Sequence, residues 1–195
     1  MAPPCHHLEG TPGMNTHHRL DARSPLVLEI HELARRAGTM KELHRVVPAP
    51  VDLGIDMIGV PEGADVELDL RLESVVEGVL VTGTADVPLA GECARCLQKF
   101  TDESSYDMQE LYFYPGKDAE EDALFIEDEL IDLDPVLRDA VVLELPFTPL
   151  CRDDCLGLCP TCGFVLNDDP DHSHGEQVDP RWEALQNLDV NDTQA

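Results

Sequence analysis

The stretch Val66-Glu-Leu-Asp-Leu-Arg-Leu72 decides the fold, because apolar and charged residues alternate through it without a break. Successive side chains of a β-strand point to opposite faces, so this pattern predicts a strand with one buried face and one solvated face. Burial on one side only is typical of antiparallel sheets. We therefore interpret the rest of the sequence around a sheet that contains this strand.

Strand patterns continue on both sides of this stretch. Alternate apolar residues at 26–30 predict a strand that enters the folded part. Residues 75–81 around Gly78, followed by Gly83, predict another strand with a bulge or a bend. An aromatic-rich strand is predicted at 106–114. Residues 31–45 carry few apolar side chains among charges and predict a turn with a short helix. Several strands joined by short turns predict an antiparallel meander, curled into a sheet or a partial barrel.

One helix is predicted directly after the strands. Asp134-Pro135 has the form of an N-cap followed by a first-turn proline, and an apolar face runs from there to Glu144. Pro146 ends this helix. The fold class is thus α+β: mainly an antiparallel β meander or partial barrel, with a C-terminal helix and a cysteine-rich zinc loop.

Composition divides the chain into three parts. Residues 1–24 contain proline, glycine and histidine without an apolar face, and we expect a disordered leader. Residues 25–150 are expected to form the α+β domain, and 151–195 a zinc-binding loop, an acidic tail and a short terminal helix at 179–185. The leader has no apolar run typical of a secretory signal, and no stretch has the length of a membrane span. We therefore expect a cytoplasmic protein.

Four cysteines fall close together directly after the predicted helix: Cys151, Cys155, Cys159 and Cys162. Four thiolates can surround one zinc ion as a tetrahedron, and a set without an open position is typical of a structural site. Clustered cysteines in a cytoplasmic protein bind metal more often than they form disulfides. Because closing a short loop costs little entropy, we predict that these four residues bind one structural zinc ion together.

A second pair, Cys93-Ala-Arg-Cys96, lies within the predicted sheet and leaves other ligand sets open. A zinc ribbon would combine two pairs: Cys93, Cys96, Cys159 and Cys162. The pair could also be redox-active or simply buried, although a thioredoxin-type pair needs a strand that enters a helix. His172 and His174 are possible replacement ligands, but they lie in the tail and we expect them to face solvent.

The chain is strongly acidic, with a formal net charge of −27. A uniformly acidic protein is repelled by nucleic-acid phosphates, so the charge favours a basic protein partner or serves solubility alone. Residues 118–134 hold nine carboxylates and no Lys or Arg. The candidate contacts for a basic partner are Glu120, Glu121, Asp122, Glu127, Asp128 and Glu129. If the protein touches RNA directly, the candidates are Arg35, Arg36, Lys41 and Arg45, although a solvated polar segment explains them equally well.

The sequence contains no set of residues typical of a catalytic site. A Gly-rich phosphate loop, a Ser/His/Asp arrangement and a His-Glu-x-x-His helix are all missing from it. Its carboxylates lie in runs, which are ordinarily solvated faces. We therefore expect that the protein is not an enzyme.

Several motifs together resemble those of a known family. They occur in the order Gly91-Glu-Cys93-Ala-Arg-Cys96-Leu97, Leu143-Glu-Leu-Pro-Phe147, Cys151-x3-Cys155-x-Gly-Leu-Cys159-Pro-x-Cys162-Gly-x-x-Leu166-Asn167 and Asp179-Pro180-Arg181-x3-Leu185. This order is similar to that of the YceD family, whose members are described as large-subunit ribosomal RNA accumulation proteins. The resemblance spans residues 25–190, and segment 31–45 resembles the actinobacterial branch.

The resemblance implies a bacterial or plastid role in making the large ribosomal subunit, without a known catalytic activity. We therefore expect a non-enzymatic ribosome-biogenesis factor that supports accumulation or maturation of large-subunit rRNA. The acidity favours binding to a basic ribosomal protein or to a precursor particle. The alternatives are a cysteine- or zinc-based redox sensor and a general acidic chaperone for basic proteins.

Overall fold

The computed structural model describes residues 20–33, 37–117, 120 and 122–174. Within these ranges the chain forms eight strands and one helix. The strands are β1 (Val27–Glu29), β2 (Met40–Pro48), β3 (Gly54–Ile55), β4 (Ile58–Gly59), β5 (Asp65–Ser74), β6 (Gly78–Glu92), β7 (Lys99–Phe113) and β8 (Leu130–Asp132), and the helix is α1 (Asp134–Glu144).

The main sheet is an open antiparallel meander. Its strands follow the order β2-β5-β6-β4-β3, and β7 pairs with β6 along the whole length of both strands. Strands β5 and β4 share the opposite edge of β6, over residues 79–86 and 90–91 respectively. A second, two-stranded sheet joins β1 to β8. The predicted antiparallel meander is confirmed, and it is an open sheet and not a closed barrel.

The core lies between one face of the sheet and α1. Val66, Leu68, Leu70 and Leu72 are at most 3% exposed, as their alternation in the sequence predicted. Helix α1 contributes Leu137 and other apolar side chains to the same core, and the helix lies against β7 and β3. The opposite face of the sheet remains in contact with solvent.

Helix α1 begins and ends close to the predicted residues. Asp134 is already helical, and the carboxylate of Asp132 accepts a hydrogen bond from its N–H at 3.0 Å. The N-cap is Leu133, so the start lies one residue earlier than predicted. The backbone becomes extended at Leu145, directly before a proline. From this point the chain runs back towards the end of the main sheet.

The prediction for residues 31–45 was wrong in its second half. Turns at 31–33 and 37–38 are confirmed, but β2 begins at Met40 where a short helix was expected. Strand β2 is an edge strand, and most of its side chains are exposed on both faces. Because few side chains of this edge strand are buried, its sequence does not alternate between apolar and polar residues. The sequence pattern therefore did not indicate a strand here.

Several predicted features lie outside the described residues. They include most of the expected leader, residues 1–19, and the terminal helix expected at 179–185. The predicted boundary at residue 150 stays a prediction. Among the described residues, no helix is long and apolar enough to cross a membrane.

Candidate metal centres

The turn between β6 and β7 carries two thiols at one end of the main sheet. The N–H of Cys93 donates to the carbonyl of Gln98 at 2.9 Å, and the N–H of Leu97 donates to the carbonyl of Cys93 at 2.8 Å. Leu97 adopts a positive φ of 59°, which closes this tight turn. Cys93 is 0% exposed and Cys96 is 2% exposed. The sheet alone therefore holds both thiols in fixed positions.

The segment after α1 brings two further cysteines to the same place. The N–H of Ala94 donates to the carbonyl of Pro149 at 2.8 Å, and the guanidinium of Arg95 donates to the carbonyl of Cys155 at 3.0 Å. Cys155 is 3% exposed and Cys151 is partly buried. We call Cys93, Cys96, Cys151 and Cys155 the buried cluster.

The spacing of the four sulfurs in the buried cluster fits a zinc ion. The sulfur of Cys93 lies 3.7 Å from that of Cys155, and the sulfur of Cys96 lies 3.7 Å from that of Cys151. All four ligand atoms lie within 4.8 Å of one another. Four sulfurs bound tetrahedrally at about 2.3 Å from zinc lie about 3.8 Å apart. The buried cluster can thus hold a metal ion.

Electrostatics in the buried cluster also favour a cation. Burial opposes ionisation of Cys93, but backbone N–H groups of Cys151, Cys96 and Arg95 outweigh it and lower the pKa of this thiol to about 6. Burial and the neighbouring cysteine sulfurs raise the pKa of Cys151 to about 12. A metal ion at this position would supply the positive charge that favours the ionised form of the four thiols.

A second group of ligands follows in the next turn of the chain. It consists of Cys159, Cys162, His172 and His174, which we call the outer cluster. The N–H of Gly163 donates to the carbonyl of Cys159 at 2.8 Å, and a φ of +74° at this glycine permits the turn. Backbone N–H groups of Thr161 and Cys162 point at the Cys159 sulfur and lower the pKa of this thiol to about 7.

Both histidines direct their Nε2 atoms at the sulfur of Cys162. Nε2 of His172 lies 3.3 Å from the sulfur of Cys162, and Nε2 of His174 lies 3.1 Å from it. The ring of Phe164 stacks on that of His172, with centroids 4.5 Å apart. All four ligand atoms lie within 4.8 Å of one another. Two thiolates and two imidazoles form a common zinc-binding set.

The structure does not bring the four cysteines of the predicted loop site together. Instead, Cys151 and Cys155 lie in the buried cluster, while Cys159 and Cys162 lie in the outer cluster. The ribbon that would combine Cys93, Cys96, Cys159 and Cys162 is not assembled either. The entropy argument for a local site did not allow for the β6–β7 turn, which already holds two thiols where the chain returns after α1.

The two histidines of the outer cluster were considered in the sequence but expected to face solvent. His172 is in fact partly buried, whereas His174 is exposed. Their signal was the spacing His-x-His ten residues after a Cys-Pro-x-Cys-Gly turn.

Two of the basic residues predicted as candidates for RNA contact, Lys41 and Arg45, are described by the structure, and both have intramolecular partners. Nζ of Lys41 lies 2.9 Å from the carboxylate of Glu32, and the guanidinium of Arg45 donates to the carbonyls of Pro25 and Val27 at 3.0 and 3.3 Å. Arg45 thereby ties β2 to the start of β1. Arg35 and Arg36 lie outside the described residues.

The acidic candidates for partner contact lie in exposed segments. Glu127, Asp128 and Glu129 are exposed in the turn before β8, where the N–H of Leu130 donates to the carbonyl of Glu127 at 2.8 Å. Glu120 and Asp122 are also exposed. Glu121 lies outside the described residues.

A larger acidic surface, which the sequence analysis did not find, covers the solvated face of the main sheet. The register places Glu67 directly opposite Asp86, and Thr84 stands between Asp69 and Asp107. The carboxylates on this face are Glu42, Asp65, Glu67, Asp69, Glu73, Asp86, Glu103 and Asp107, which we call the acidic face. Alternation shows which residues of one strand point outwards, but only the register shows that those of four strands share a surface.

The acidic face carries few basic side chains. Arg71 lies on it, with its guanidinium 3.1 Å from the carboxylate of Glu73. Nδ1 of His44 lies 2.8 Å from the carboxylate of Asp69. The same register places Lys99 at the end of this face, opposite Glu92. Carboxylates therefore dominate the face even after Arg71, His44 and Lys99 are counted.

The sequence of this chain is similar to those of several known proteins. The family model described as large ribosomal RNA subunit accumulation protein YceD matches residues 81–189, more than half of the chain, and this range contains both clusters. An uncharacterized protein of Mycobacterium tuberculosis is 49% identical, over 83% of this chain and 80% of its own length. An uncharacterized protein of Mycobacterium leprae is 41% identical, over 85% and 78% respectively.

A plant protein extends the similarity to plastids. Maize has a chloroplast protein named large ribosomal RNA subunit accumulation protein YCED homolog 1, which is 27% identical over 74% of this chain and 47% of its own length. No solved structure matches the chain. The family model and the mycobacterial relatives together show that this chain belongs to the YceD family of large ribosomal RNA subunit accumulation proteins.

Proposed function

We propose that the protein is a non-enzymatic, cytoplasmic ribosome-biogenesis factor that supports accumulation or maturation of large-subunit rRNA. It does so by binding a basic ribosomal protein, free or within a precursor particle. Membership of the YceD family supports the ribosomal role, and the acidic face is the observation that carries the choice of a basic partner.

The acidic face has the charge pattern of a binding surface for a basic chain. Glu67 and Asp86 lie directly opposite each other across two strands, and such like-charged pairs destabilise a sheet. Lys and Arg side chains of a partner would relieve this repulsion and speed association. The exposed turn at Glu127–Glu129 adds further negative charge.

Direct binding to naked rRNA is less well supported. RNA binding depends on Lys and Arg that neutralise phosphates, whereas this chain has 13 such residues against 40 Asp and Glu. Of the candidate RNA contacts, Lys41 is paired with Glu32 and Arg45 is bound to backbone carbonyls. A protein partner is therefore the better proposal.

The buried cluster has a structural role in this proposal. Cys93, Cys96, Cys151 and Cys155 would bind one zinc ion, whose chemistry here is to hold four thiolates together. The four sulfurs fill all positions of a tetrahedron and leave none for a substrate. The ion would fasten the segment after α1 to the end of the main sheet, and no catalytic step is proposed for it.

A binding experiment tests the choice of partner. The immobilised protein is offered a mixture of purified large-subunit ribosomal proteins and, separately, naked large-subunit rRNA. We expect it to retain one or more basic ribosomal proteins, and we expect this retention to weaken as salt rises from low to physiological concentration. Retention of naked rRNA with no ribosomal protein retained would contradict the proposal.

Neutralising the centre of the acidic face should weaken binding to the retained protein. For the double variant Glu67→Gln/Asp86→Asn we expect affinity to fall about tenfold, which corresponds to about 1.4 kcal/mol, because two carboxylates leave the contact surface. Isothermal titration calorimetry at fixed salt measures this change.

The matched control is Asp139→Asn/Glu144→Gln, which removes the same charge from exposed residues of α1, the helix that packs on the opposite face of the sheet. Its affinity should change less than twofold, since exposed charges far from a contact are screened by salt. Equal losses in the two variants would show that only net charge matters. That result would favour the general acidic chaperone over a partner-specific factor.

A further inference from the structure

The segment that carries the outer cluster is folded without a core of its own. None of the residues 160–174 is buried, and Cys159 at their start is 7% exposed. Ordering a chain segment costs conformational entropy, which burial of apolar side chains normally offsets. Here that contribution is small. A metal ion bound to side chains at both ends of the segment would supply the missing free energy.

The ligand atoms of the outer cluster are arranged around one point. Nε2 of His172 and Nε2 of His174 are 3.0 Å apart, and both lie within 3.3 Å of the Cys162 sulfur. Around a tetrahedral zinc ion, such nitrogen and sulfur atoms are about 3.4 to 3.8 Å apart. A small movement of the side chains would therefore accommodate the ion.

Backbone contacts hold this segment against the residues that follow the buried cluster. The N–H of Leu166 donates to the carbonyl of Gly157 at 3.0 Å, and Leu158 forms a β-bridge with Val165. The N–H of His172 donates to the carbonyl of Asp169 at 3.2 Å, which closes the turn before the histidine. The ligands of the outer cluster lie at both ends of segment 162–172, which we call the hairpin. An ion bound by these ligands would help to fix the position of the hairpin.

One side chain of this hairpin reaches the buried cluster. Asn167 lies between Cys162 and His172 in the sequence, and its Nδ2 donates a hydrogen bond to the sulfur of Cys155 at 3.2 Å. Its Oδ1 accepts a hydrogen bond from the N–H of Leu156 at 2.8 Å. Hydrogen bonds from neighbouring groups orient a metal ligand and can change metal affinity by tenfold or more.

We propose that the outer cluster binds a second zinc ion, and that this ion stabilises zinc in the buried cluster through Asn167. The ion in the outer cluster fixes the hairpin at both ends, and the hairpin places the Asn167 amide against the sulfur of Cys155. Asn167 is a positioning residue and does not touch either ion. The inference does not depend on the ribosomal partner and rests only on the proposed zinc in the buried cluster.

The two sites should lose zinc at different rates. Cys162 and His174 are exposed, so a chelator can reach the outer site directly. Cys93, Cys96 and Cys155 are at most 3% exposed, so the buried site should release its ion slowly. When the outer ion has gone, only the contacts of Leu158, Leu166 and Asn167 with neighbouring residues hold the hairpin, so the hydrogen bond to the Cys155 sulfur is weakened. The buried ion should then leave faster than it does from the fully loaded protein.

Metal analysis and chelation kinetics on the full chain test this inference. We expect two zinc ions per chain in the wild type and in Asn167→Ala, and one in His172→Gln/His174→Gln. With a colorimetric chelator in excess, the wild type should show a fast phase and a slow phase. Asn167→Ala should leave the fast phase unchanged and accelerate the slow phase at least fivefold, and the histidine variant should show a single phase that is similarly accelerated.

Asp168→Ala is the matched control, because Asp168 is the exposed neighbour of Asn167. Its two phases should equal those of the wild type. Circular dichroism of each variant shows whether the sheet remains folded, and Asn167→Ala tests the coupling even if the histidine variant does not fold. One zinc ion per wild-type chain that is retained in His172→Gln/His174→Gln would overturn the second site. An unchanged slow phase in Asn167→Ala would overturn the coupling.

Discussion

Replacing Cys93 and Cys96 with serine should lower the zinc content of the chain from two ions to one. Serine is a poor zinc ligand, so the buried site would be lost while the outer site keeps its four ligands. Only the hydrogen bonds of Ala94 and Arg95 would then attach the segment after α1 to the β6–β7 turn. Structural zinc contributes about 10 kcal/mol or more in zinc-finger peptides, so we expect the local effect to be large. Elemental analysis of the purified variant measures the zinc content.

The same variant separates the ligand sets that the sequence left open. If Cys151, Cys155, Cys159 and Cys162 bound one ion together, the double variant would keep the zinc content of the wild type. If Cys93 and Cys96 combined with Cys159 and Cys162, it would bind none. Hydrogen exchange adds a second measurement: amides at 149–158 should exchange much faster, while those of β5 and β6 keep most of their protection.

Truncating Leu137 to alanine should lower the free energy of unfolding by about 3 kcal/mol. Leu137 is 0% exposed and lies in the core between α1 and the sheet, so the change leaves a cavity. Urea unfolding followed by circular dichroism measures the loss. The substitution should also loosen the buried cluster, because α1 directs the chain back to it.

Leu143→Ala provides the matched control on the same helix. Leu143 is 80% exposed, so the identical substitution should change the free energy of unfolding by less than about 0.5 kcal/mol. Equal losses in the two variants would mean that α1 does not pack as described. A smaller loss for Leu143 would confirm that burial, and not helix propensity, accounts for the difference.

The sequence predicted best those elements whose pattern depends on local geometry alone. The alternation at 66–72 identified a half-buried strand and the side chains that enter the core. The Asp134-Pro135 pair located the start of α1 to within one residue. Both are local signals, because strand periodicity and helix starts are set by neighbours in the chain.

Glycines in β6 show where local reasoning was insufficient. Gly78 and Gly83 lie where a strand with a bulge or a bend is predicted, and β6 begins at Gly78 and runs for 15 residues. At Gly83 a Cβ atom would collide with the carbonyl of Asp69 and lie 2.9 Å from the Cα of Leu70 on the neighbouring strand. This glycine therefore permits close approach of two strands. Nothing in its immediate sequence distinguishes that role from a bend.

Only part of the candidate metal site was predicted, again because local sequence signals do not show which distant segments meet. Each cysteine pair could be identified from its own spacing, but the partner of each pair depends on the path of the chain. Cys93 meets Cys155 across 62 residues, and that contact follows from the β6–β7 turn and from the direction of α1. The acidic face likewise depends on the register of four strands.

The separation of the two halves of the buried cluster has a consequence for synthesis of the protein. A growing chain exposes Cys93 and Cys96 first, and Cys151 and Cys155 emerge only after the strands and α1 have been made. More than 50 further residues must therefore be translated before the second pair is made, since Cys96 and Cys151 are 55 positions apart. We expect the four-sulfur site to close among the last steps of folding, after the strands and α1 have formed.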